Sequence, residues 1–179
     1  QVDTQGNDRT DPNQPSPGTP NTVTITDSNF SNNGANGAFF RTRGDSTLIS
    51  DITLSTFSTN TQNGILVQTS ENSSFGDPTI GAPPGRRSTF DGLFVDGNTV
   101  DGIQILASEQ SRALVEVTST TAAATGGAHA AASTLGKTTI SNNGRDGIHI
   151  ETTGGSSDIL ITKNSATTTI SGNGTVAGG

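Results

Sequence analysis

The sequence predicts an all-β fold, a single-stranded parallel β-helix (β-solenoid) of about five coils with three strands each. Three observations predict it. A motif of eleven positions recurs along the 179 residues, the segments between its copies vary in length, and the composition is wrong for a two-layer globule. Only 28% of residues are hydrophobic, yet Thr, Ile and Val recur in strand-like runs between 23 glycines. That mixture fits a narrow aliphatic column wrapped in polar turns, whereas disordered chains are poor in β-branched residues.

The copies begin at Phe30, Phe57, Val95, Ile140 and Ile170, and read apolar, Ser/Asp, any, Asn, Gly/Thr, any, Asn/Asp, Gly, Ala/Ile, any, apolar. The fourth place is Asn33, Asn60, Asn98, Asn143 and Asn173. Amides at one place in successive coils can stack into a ladder at the strand spacing of about 4.8 Å. Asn36-Gly37, Asn63-Gly64, Asp101-Gly102 and Asp146-Gly147 fill the next conserved pair. They read as sharp corners in which glycine takes a positive φ. The Ile-Gln-Ile and Ile-His-Ile that follow alternate as a strand covered on one face does. Copies start 27, 38, 45 and 30 residues apart. Helical repeats keep a near-constant period, so these intervals predict constant corners with insertions between strands.

Residues 1–21, polar and proline-bearing, read as an extended N-terminal arm, and residues 22–179 as the β-helix domain. Within the domain, insertions are expected near 70–88, which is Pro/Gly-rich around Arg86 and Arg87, and near 119–137, which is Ala/Thr/Gly-rich around His129. The fourth coil shows its three strands most clearly, at Gly147 to Thr152, Asp158 to Thr162 and Thr168 to Ile170. Ala113 to Thr118 is the second strand of the coil before it.

The recurring Asn-x-x-Asn/Asp-Gly-Ile-x-Ile resembles the parallel β-helix repeats of the pectin-lyase-like superfamily, over roughly residues 22–176. The resemblance implies a right-handed coil. It implies little about function, because lyases, hydrolases, tailspikes, adhesins and non-catalytic surface proteins share the fold. The lyases of that family pair an arginine base with a calcium-binding carboxylate cluster, and its hydrolases carry an aspartate triad with His and Arg-x-Lys. Neither pattern is found here, so no catalytic residues are assigned.

Asp101 and Asp146 share one coil position and would stand about 5 Å apart. Two carboxylates that close share a proton or recruit a cation. A Ca²⁺ site is therefore one reading and an acid/base pair of the glycosidase kind another, while the third makes both of them corner residues like Asn36 and Asn63; no other cofactor is expected. His149 alternates with Ile148 and Ile150 and reads as a solvated, outward strand histidine. The net charge of −7 argues against nucleic acid and anionic membranes, and no run is long and apolar enough to span a bilayer. Gln1 cannot initiate translation, so the chain is expected to be processed, after signal-peptide removal, or partial; its place is the cell surface or outside the cell. No amphipathic capping helix covers either open edge. The expected partners are copies of itself, head to tail, in a filament or surface layer, with the arm donated to a neighbour. The alternatives are a fragment of a larger adhesin or carbohydrate-binding surface protein, and a polysaccharide lyase or hydrolase.

Overall fold

The computed structural model describes residues 1–5, 20–77, 86–119, 137–154, 158–163 and 168–174. Their strands are all parallel and form three stacked sheets. The first sheet runs β1 (Val2–Gln5), β3 (Ala38–Arg43), β6 (Ile65–Thr69), β10 (Ile103–Ser108) and β13 (Ile148–Thr153). The second contains β2 (Asn21–Thr26), β4 (Thr47–Thr53), the pair β7 (Ser74–Phe75) and β8 (Ser88–Asp91), then β11 (Arg112–Thr118) and β14 (Asp158–Lys163). The third contains β5 (Thr56–Ser58), β9 (Phe94–Asp96), β12 (Thr139–Ser141) and β15 (Thr169–Ser171). The chain visits the three sheets in turn and steps up one rung per circuit, which is a parallel β-helix.

Alternation puts every second side chain inside, and register stacks like on like. Phe40, Val67, Ile105 and Ile150 form one column, and Ala38, Ile65, Ile103 and Ile148 another. Phe57, Val95, Ile140 and Ile170 line the third sheet. Phe30 extends that column, its ring stacked on Phe57 at 5.0 Å between centroids. The central members are fully buried. In the second sheet, the column of Ile52, Phe90 and Val117 has Lys163 at its next register position.

Three sequence expectations change. Val2–Gln5, expected within an arm, pairs with Phe40–Arg43 as the first rung of the first sheet. Val2 falls in register with Phe40, and Asp3 accepts from Arg41 and, at 3.2 Å, from Arg43. The Arg41 hydrogen bond holds the Asp3 carboxyl below its ordinary pKa. The rest of the expected arm, residues 6–19, lies outside the described residues.

The first insertion is narrower than 70–88 and leaves from within a strand. Phe75 pairs with Leu48 and Ser88 falls opposite Ser50, so β7 and β8 are halves of one rung. An antiparallel bridge of Asp77 N–H to Arg86 O (2.7 Å) and Arg86 N–H to Asp77 O (2.8 Å) closes the neck. Its outer part, 78–85, and most of the second insertion, 120–136, lie outside the described residues.

Nor do the motif glycines take a positive φ. That conformation belongs to the residue just before each ladder asparagine: Asn32, Thr59, Gly97, Asn142 and Gly172, at φ 52–63°. Gly37, Gly64, Gly102 and Gly147 are glycine because the next coil leaves no room for a Cβ. At Gly102 that atom would lie 2.6 Å from Gly147 O and 2.7 Å from Ile140 Cγ2.

Exposed Thr59, at φ 53°, is the only β-branched residue in that column. A left-handed conformation costs such a residue about 1–2 kcal/mol, and asparagine much less. Thr59→Asn keeps a donor for the Asn32 Oδ1 that Thr59 Oγ1 now reaches at 2.8 Å. It is expected to stabilise by about 1 kcal/mol, read as a higher urea midpoint with an unchanged m-value.

Candidate functional site

The corner between the third and first sheets carries two hydrogen-bond ladders of opposite sense. In the first, each asparagine gives its backbone N–H and Nδ2 to the Oδ1 of the next coil. Asn33 donates to Asn60 at 3.0 and 2.9 Å, Asn60 to Asn98 at 3.1 and 2.8 Å, Asn98 to Asn143 at 3.1 and 2.9 Å, and Asn143 to Asn173 at 3.1 and 2.8 Å. Nδ2 also reaches a backbone carbonyl: Asn98 to Phe57 O at 3.0 Å, and Asn173 to Ile140 O at 3.2 Å. Asn60, Asn98 and Asn143 are buried, so each of these bonds replaces one to water.

The second ladder runs through the motif's Asn/Asp places, with the donor in the later coil. Asn63 donates N–H and Nδ2 to Asn36 Oδ1 at 3.1 and 3.0 Å, Asp101 N–H to Asn63 Oδ1 at 3.0 Å, and Asp146 N–H to Asp101 Oδ1 at 3.1 Å. Each rung needs only an oxygen acceptor. Asparagine supplies one as well as aspartate does, so the ladder itself does not call for the two carboxylates of the later coils.

Those carboxylates are not alike. Asp101 is 0% exposed, and a buried carboxylate needs a countercharge. Arg145 supplies it, its Nε donating to Oδ1 at 2.9 Å and its Nη2 to Oδ2. This hydrogen bonding raises the Arg145 pKa above its ordinary value, yet the arginine side chain is 49% exposed. Asp146 is half-exposed and pairs through Oδ2 with His149 Nδ1 at 3.0 Å. The imidazole points out from the first sheet, as the alternation predicts, but it is not simply solvated. Its side chain is 26% exposed, and Nε2 lies 3.8 Å from Glu151. Donor atoms of Asp101, Asp146 and His149 lie within 4.8 Å of one another.

Two features escaped the reading of the sequence. One is Arg145 as the partner of Asp101, an ion pair between coils whose only sequence signal is a basic residue beside Asp146. The other is a Ser/Thr stack at the corner between the first and second sheets. Thr4 meets Ser46 at 3.3 Å, Thr42 meets Ser73 at 2.8 Å and Thr69 meets Ser111 at 2.8 Å. Its signal was present in part, a serine four places after Thr42 and again after Thr69. Beyond the corner, the outward face of the first sheet has a shallow hollow of ≈ 110 Å³ lined by Gln68, Leu106, Ser108, Glu151 and Thr153 among others.

No curated protein and no solved structure matches the chain. A family model described as a right-handed beta helix region matches residues 18–175, nearly all of it. That match supplies the handedness and agrees with the three-sheet circuit and the stacked asparagines: the chain belongs to the right-handed β-helix family.

Proposed function

We propose that this chain is a non-catalytic structural unit of the cell exterior, whose β-helix continues rung on rung onto further copies in a filament or surface layer. One observation carries the reading: the apolar columns end exposed at Ile150 (50%) and Ile170 (47%), the two large hydrophobics exposed among the described residues. A second copy added in the existing register sets its Val2 on Ile150, its Phe30 on Ile170 and its Asn33 against Asn173. The ladder is complementary there, since Asn173 has N–H groups of the kind each earlier asparagine donates and Asn33 has the accepting Oδ1. Such a contact is heterologous and propagates. The same register sets Ile25 against Lys163 and Asp3 against Glu151. The junction is therefore weaker than a rung within the chain, and salt, which screens the carboxylate pair, favours assembly.

Light scattering and electron microscopy at micromolar protein, in low and in 0.5 M salt, test this. Filaments that lengthen with salt and vanish in Ile150→Lys, while that variant keeps its β circular dichroism, are the expected result. Monomers under both conditions overturn it. A second reading, a carbohydrate-binding surface, draws on the hollow on the first sheet. Saturable retention of the monomer on a polysaccharide column, lost in Gln68→Ala, is its expected sign.

A further inference from the structure

We infer that Asp101, Asp146 and His149 form a binding site for a divalent transition-metal ion, in which the ion exchanges with the Arg145 guanidinium. Three observations carry the inference, and none depends on how copies assemble. The ligand set is one imidazole nitrogen and two carboxylates, on adjacent coils and with donor atoms mutually within 4.8 Å. Nitrogen with oxygen suits zinc and its neighbours, whereas calcium takes oxygen alone. This changes the ion expected from the two aspartates alone.

The charges also fit. Asp101 and Asp146 carry two negative charges and Arg145 returns one, so a doubly charged ion balances the pair more fully than the arginine does. Then there is the way Arg145 is held. Asp101 is entirely buried and must keep a cation beside it, but its present one is half in solvent on a flexible stem. The guanidinium can swing into water at little cost while an ion takes Oδ2. Oδ1 keeps its bond from the Asp146 N–H, so the ladder survives the exchange. Solvent completes the coordination on the exposed side.

Isothermal titration of the purified protein with Zn²⁺, and separately with Ca²⁺, tests the inference, with melting curves as a second readout. One Zn²⁺ per chain is expected, with Tm rising by roughly 5–10 °C at a hundredfold excess over Kd. His149→Ala, at an outward and partly exposed position that leaves the fold intact, should weaken Zn²⁺ at least about tenfold. Arg145→Gln should bind Zn²⁺ more tightly and melt lower without it, the ion restoring the loss. If Arg145→Gln does not fold, Arg145→Lys, which keeps a cation but not the two-pronged contact, takes its place with the same expectation. Zn²⁺ binding indifferent to both substitutions places the ion elsewhere and overturns the inference. So does Ca²⁺ binding more tightly than Zn²⁺ and unaffected by His149→Ala, because the imidazole is then no ligand.

Discussion

Replacing Asn98 with leucine is expected to destabilise the protein by about 4 kcal/mol. The two side chains have the same number of heavy atoms and the same branching at Cγ, so the loss is chiefly one of hydrogen bonds. Asn98 is buried in the middle of its ladder. Its Oδ1 accepts from both the backbone N–H and the Nδ2 of Asn60, and its Nδ2 serves Phe57 O and Asn143 Oδ1. Leucine orphans two buried donors and the Phe57 carbonyl together. Each such group costs about 1–3 kcal/mol when water cannot replace its partner. Asn33→Leu is the control. Asn33 is exposed at the first rung, and losing its amide takes only one of two donors from Asn60 Oδ1, which keeps the Asn33 N–H at 3.0 Å, so that variant should lose under about 1 kcal/mol. Urea denaturation of the two variants measures the difference. Equal losses at Asn98 and Asn33 would mean that the ladder does not act through burial.

Gly102→Ala is expected to cost about 3 kcal/mol or more, though it adds one methyl group. The added Cβ meets the Gly147 carbonyl at 2.6 Å, Ile140 Cγ2 at 2.7 Å and Asn143 Nδ2 at 2.8 Å. Two of these neighbours, the carbonyl and the ladder amide, are fixed by hydrogen bonds between coils, so relief requires the rungs to part. Overpacking that moves backbone lies at the upper end of the usual 1–3 kcal/mol or beyond it. Gly34→Ala, where a Cβ would find nothing within 4 Å, should change stability by less than about 0.5 kcal/mol. A comparable loss at Gly34 would point to chain flexibility, rather than crowding, as the reason for glycine in this motif.

These two residues also show what could be read from the sequence. The place of Asn98 was legible because a stacked amide must recur at one point of every coil, and recurrence is what a repeat alignment detects. The place of Gly102 was legible for the same reason, but its cause was not. A positive φ and a crowded Cβ both select glycine, and only the next coil, Gly147 and Ile140, separates them. Thr59 concealed the true site of positive φ by standing in a column otherwise of Asn and Gly. The Arg145–Asp101 pair joins residues 44 apart, and no local pattern announces a contact made once, between two particular coils. Val2–Gln5 was misassigned because four residues next to a proline-rich stretch hold too little alternation to register as a strand. Their pairing comes from β3 alongside.

The neck of the first insertion makes the β-helix a scaffold with a docking port. A chain that leaves at Asp77 and returns at Arg86 starts and ends at adjacent, hydrogen-bonded points, and β7 and β8 hold their rung on either side of it. The register of this rung is held by β7 against Thr47 and Leu48 and by β8 against Asp51, Ile52 and Thr53. Closing a longer excursion adds only about 0.6 kcal/mol per doubling of its length. Selection, or an engineer, can therefore exchange the cargo at this port for a longer loop or a foreign epitope while the rungs beneath it keep their places.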